Sequence, residues 1–91
     1  MILPLIKIKD FTNYDQFDKI NEELDEFAKS ETHTEEEISE ALDLIQATLT
    51  YITHEYTKAE IEEAVKLHYD KLIGRGHKLK GVLNISLEDK K

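Results

Sequence analysis

Residues 35–54 read EEEISEALDLIQATLTYITH, and the apolar positions Ile38, Leu42, Ile45, Leu49 and Ile52 recur at helical spacing along the whole stretch. That period predicts an amphipathic helix, and Ala41 and Thr48 beside the stripe are small enough to let a second helix approach closely. Thr34, followed three residues later by Glu37, supplies a capping-box start for it. Working outward, the polar run Lys29-Ser30-Glu31-Thr32-His33 separates this helix from an earlier one. There, Phe17, Ile20, Leu24 and Phe27 repeat at the same spacing after Asn13, a good N-cap residue. On the other side, Thr57 and Glu60 form a second capping box. Ile61, Val65, His68 and Leu72 then mark a third helix that should stop near Gly74 or Gly76.

The reading is therefore all-α: one domain over residues 1–91, an antiparallel helical bundle with helices at about 14–28, 35–54 and 57–75, and short extended terminal segments. Leu3 to Ile8 carries the only proline and reads as an extended lead-in, with room for a short strand. Lys78 to Leu87 fits either a short strand or an arm that packs on a partner.

The composition narrows the function. A chain of 91 residues buries only a modest share of its surface, so a lone monomer would be marginal. With no cysteine, disulfides and thiolate metal sites are excluded, and any metal must sit on oxygen or imidazole. The net charge of −8 opposes binding to nucleic acid or to anionic lipid. No apolar run reaches the roughly 20 residues of a membrane span, and Met1-Ile2-Leu3-Pro4 lacks the features of a signal peptide. The expected location is the cytoplasm.

The chemistry resides in the acids. Glu23 and Glu26 are spaced i, i+3 on helix one, and after 13 intervening residues Glu40 and Asp43 repeat that spacing on helix two. Such a step places both side chains of a pair on one face, so antiparallel packing brings four carboxylates together. Four like charges in one cleft repel unless cations neutralise them, and magnesium, a hard ion that favours oxygen ligands, is the natural counter-ion. The competing reading is a set of solvated helix faces in a chain with 20 acidic residues. The histidines His33, His54, His68 and His77 form no zinc-protease pair, and there is no Gly-rich phosphate loop.

The order E-E-x-x-E at Glu22–Glu26, a short gap, then E-x-x-D at Glu40–Asp43 resembles the signature of MazG-like proteins in the all-alpha nucleoside triphosphate pyrophosphohydrolase superfamily. Lys19, one turn before Glu23, falls where that family often carries a lysine. The segment from His68 to Gly76, with Lys71-Leu72 and Arg75-Gly76, resembles the K-L-x-x-R-G segment near the end of the family's third helix.

The resemblance covers about residues 14–78. It implies magnesium, or manganese in its place, on Glu23, Glu26, Glu40 and Asp43. Glu22 would orient or deprotonate a water, Lys71 and Arg75 would neutralise the leaving pyrophosphate, and Lys19 and His68 would lie on the substrate side. It further implies hydrolysis of a nucleoside triphosphate to monophosphate and pyrophosphate, in a homodimer or homotetramer. The alternative is a non-catalytic acidic helical interaction protein.

Overall fold

The computed structural model describes residues 3–6, 13–84 and 86–88, with Asn13 and Tyr14 described by backbone only. Three helices account for all the regular structure among them: α1 (Asn13–Lys29), α2 (Glu35–Glu55) and α3 (Lys58–Gly74). There is no strand among the described residues. Those of the lead-in and the tail are irregular coil. The far end of the lead-in at Lys7 and Ile8, the capping role expected of the Asn13 side chain, and Ile85 lie outside the described residues.

Local chemistry sets the helix ends. Thr34 caps α2 by accepting from the Glu37 N–H at 3.2 Å, and its own hydroxyl donates to the Glu31 carbonyl at 2.6 Å. The return bond of the expected capping box is displaced by one residue: the Glu37 carboxylate accepts from the His33 N–H at 3.3 Å. His33 holds a left-handed backbone at φ 66°, which turns its N–H toward the helix. At α3 the box is complete, with Thr57 Oγ1 accepting from the Glu60 N–H at 3.2 Å and the Glu60 carboxylate accepting from the Thr57 N–H at 3.0 Å. α3 ends in a Schellman motif. The His77 N–H donates to the Leu72 carbonyl and the Gly76 N–H to that of Ile73, with Gly76 at φ 82°, a conformation open to glycine at no steric cost.

α1 and α2 form an antiparallel hairpin. The pairs that meet show the direction: Gln16 reaches Ala47, the Phe17 ring lies 4.9 Å from that of Tyr51, and Glu23 meets Glu40 and Asp43. The seam is small and polar, and its buried members are Ala47, Gln16, Glu23 and Thr50.

Here the structure departs from the apolar pattern. Ile38, Leu42 and Ile45 point away from α1, with Ile38 63% exposed. The reason is angular, since Ala47 follows Ile38 by about two and a half turns at 3.6 residues per turn and so lies on the opposite face. Ala47 and Thr50 are the buried small residues of the seam, while Ala41 is half-buried and Thr48 is exposed. α3 has no contact with α1 and touches α2 only slightly, and no residue on it is buried. The radius of gyration, 14.9 Å, exceeds the roughly 12 Å of a compact domain of this length, as an open arrangement requires.

Candidate metal centre and adjoining cleft

Glu23 is the anomaly around which the site is built. It is a carboxylate only 6% exposed, held in the α1–α2 seam where an apolar side chain would ordinarily sit. Lys19, one turn earlier, donates to its Oε1 at 2.7 Å. Its Oε2 is sealed from solvent and has no hydrogen-bond partner. Glu40 Oε2, arriving from α2, is in the same condition. Burying polar oxygens without partners is costly, so two of them converging in one seam call for something to coordinate them.

Asp43, one turn beyond Glu40, completes the group. One ligand oxygen from each of Glu23, Glu40 and Asp43 lies within 4.8 Å of the other two. Two oxygens opposite each other on magnesium stand about 4.2 Å apart, so the cluster fits that ion with little side-chain adjustment. Glu26 stands at its edge. The negative charge of Glu23 raises the Glu26 pKa above the usual carboxylate value, with desolvation, the charge of Glu40 and a hydrogen bond that a protonated Glu26 makes to the Glu23 carboxylate adding to the effect. Lys19 is shifted upward by its hydrogen bond to Glu23. All four carboxylates singled out by spacing, together with Lys19, thus occupy one neighbourhood.

The remaining sequence candidates lie elsewhere. Glu22 points outward, its side chain 60% exposed and 3.9 Å from Lys19 Nζ. His68, Lys71 and Arg75 are exposed on α3. His68 and Lys71 flank a shallow apolar recess with Ala64 and Leu67, separate from the groove that Glu23 and Asp43 line.

Beside the carboxylates, a cleft of about 360 Å³ opens between α1 and α2, lined by Ile6, Gln16, Lys19, Glu23, Asp43, Gln46, Ala47 and Thr50. Gln16, Gln46 and Thr50 were not singled out by motif. The available signal was spacing, since Gln16 precedes Glu23 by two helical turns and Gln46 follows Asp43 by one, on the same faces. Their positions are fixed by main-chain bonds: Gln16 Nε2 donates to the Ala47 carbonyl at 2.7 Å, Gln46 Nε2 to that of Pro4 at 2.6 Å, and Thr50 Oγ1 to that of Gln46 at 2.8 Å.

Among the described residues, no helix is long and apolar enough to cross a membrane. No family model, curated protein or solved structure matches the chain.

Proposed function

We propose that the chain is a magnesium-dependent nucleoside triphosphate pyrophosphohydrolase of MazG-like type, acting in the cytoplasm on the nucleotide pool. The observation that carries this reading is the pair of buried, unpartnered oxygens of Glu23 and Glu40 beside Asp43, next to an open groove between α1 and α2. The order of the carboxylates along the chain supports it as well.

Glu23, Glu40 and Asp43 would hold the ion, with Glu26 at the rim, and the chemistry it would supply there is charge neutralisation and a more acidic water. The chain's own residues do the rest. Lys19 fixes the Glu23 carboxylate by its 2.7 Å bond and keeps one positive charge beside the acids. Glu22 would take the proton of the attacking water, a role that requires its outward side chain to turn in from beside Lys19. The water oxygen bonds to the α-phosphorus, the bond from that phosphorus to the α–β bridging oxygen breaks, and pyrophosphate leaves with the electron pair.

Pyrophosphate carries charge that one lysine cannot balance. Lys71 and Arg75 are the cations for that task, and they reach the carboxylates from a second copy in a homodimer or homotetramer. The outward stripe of Ile38, Leu42 and Ile45 supports such an assembly, because the described residues of the chain leave these side chains exposed. The same stripe favours the second reading, a non-catalytic helical protein that docks a partner there.

Pyrophosphate release from a panel of nucleoside triphosphates, with magnesium and with EDTA, separates the two. The enzyme releases it with magnesium alone, and Glu40→Gln abolishes the release; silence on every nucleotide sinks the enzyme reading in favour of the docking protein.

A further inference from the structure

Two helix faces of this chain are left open, one on α2 and one on α3, and they complement each other. On α2, Ile38, Leu42 and Ile45 point away from α1. On α3, Val65, Tyr69 and Ile73 follow one another at i, i+4 and i+8, each between 45% and 62% exposed. No residue of α3 is buried, although a helix takes most of its stability from packing an amphipathic face. We infer that the α2 stripe is covered by the α3 stripe of a second copy, with the two helices antiparallel. This goes beyond both readings above and holds under either.

Antiparallel pairing sets Ile38 opposite Ile73, Leu42 opposite Tyr69 and Ile45 opposite Val65, and the two sets stay in step over about 10 Å at 1.5 Å per residue. Charge gives the direction. Glu35, Glu36 and Glu37 open α2 just ahead of Ile38, while Lys78 and Lys80 follow the end of α3 beyond Ile73. Antiparallel packing brings these acids to these bases; parallel packing would set them against Glu62 and Glu63. Residues 66–80 as a whole hold five Lys and Arg against Asp70 alone, in a chain whose net charge is −8, so the fitting complement of that segment is the acidic remainder of another copy.

The surface available is sufficient. A compact chain of this length presents about 5,500 Å², whereas this one presents 7956 Å². Hiding half of the surplus on each of two chains reaches the roughly 2,000 Å² or more that obligate homodimers bury. Each chain carries one stripe of each kind, so a twofold axis closes both contacts at once. Lys71, two residues on from Tyr69, lies across α3 from the stripe and stays open. Under the hydrolase reading it then serves the carboxylates of a further pair, which makes the assembly the homotetramer.

The chain has no cysteine, so introduced ones report the contact without interference. Leu42→Cys chains mixed with Tyr69→Cys chains should form a covalent dimer with a short bismaleimide. Leu42→Cys mixed with Leu67→Cys, on the opposite side of α3, should lose that product. Separately, Tyr69→Glu combined with Ile73→Glu should sediment as a monomer with helix content kept. A monomeric parent, an oligomer that survives the two glutamates, or crosslinking at Leu67 equal to that at Tyr69 would overturn the pairing. Both measurements read mass and not turnover, so neither outcome decides the hydrolase reading.

Discussion

Lys19 Nζ stands 2.7 Å from Glu23 Oε1, while the other oxygen of the same carboxylate is buried with no partner. Half of the buried charge is answered from within the helix, and half is left for a ligand. Lys19 itself is about half exposed, so its contribution is screened by water. The asymmetry is what distinguishes Glu23 from the many acids on the surface of this chain.

Lys19→Met removes the internal partner and leaves the buried carboxylate unanswered. The metal-free chain should lose about 1–2 kcal/mol in denaturant titration after allowance for screening. Magnesium at millimolar concentration should recover part of the loss by binding the folded state. Equal stability of variant and parent without metal would mean that the pair is ornamental.

The Glu26 pKa is raised in the folded chain above its ordinary 4.5, chiefly by Glu23. The folded state thus holds the Glu26 proton more tightly than the unfolded state does. That gain is complete below the unfolded pKa and is lost as pH rises through the folded one. Glu26→Gln should therefore melt above the parent at pH 7 without metal, and the gap should close as pH falls toward 4.5. A constant gap across that range would contradict the coupling.

At the start of α3 the sign is opposite. The Thr57 N–H, and after it the Thr57 hydroxyl, bonds the Glu60 carboxylate and lowers its pKa. The capping contribution is present above the unfolded value and is lost as pH falls through the folded one. Thr57→Ala should cost about 1 kcal/mol of local helix stability. Because α3 has so little tertiary support, hydrogen exchange should show the loss at 58–64 and leave α1 and α2 protected.

Much of this was legible in the sequence, and for physical reasons. Helix spans follow from period and caps, and Thr34, Thr57, Gly74 and Gly76 marked ends that the structure keeps within a residue or two. Adjacency of Glu23, Glu40 and Asp43 followed from i, i+3 spacing and a short connection that forces antiparallel packing. What spacing could not reveal was which face of α2 turns to α1. The apolar stripe through Ile38, Leu42 and Ile45 is the stronger hydrophobic signal, yet the seam uses Ala47 and Thr50, because close approach and the Gln16 bond need small side chains there. A stripe directed outward reads identically to one directed inward until a neighbour is placed. The burial of Gln16 is hidden for a related reason: a glutamine on a helix gives no sign of it apart from its carbonyl partner, 31 residues away.

That outward stripe makes its own prediction. Ile38→Glu combined with Ile45→Glu should convert a self-associated species to monomer in sedimentation velocity, with helix content preserved. A parent that is already monomeric at high micromolar concentration would remove the second copy from the account.

The central claim is that one particular group of acids, and not the general negative charge, holds the metal. Manganese broadening of backbone amide signals in a ¹⁵N-labelled sample tests it directly, since the paramagnetic ion bleaches only its neighbours. The account predicts that, at substoichiometric manganese, signals around Glu23, Glu26, Glu40 and Asp43 vanish first and that magnesium restores them. Broadening that begins instead at the exposed run Glu35–Glu37, or spreads evenly over the acidic surface, would contradict it.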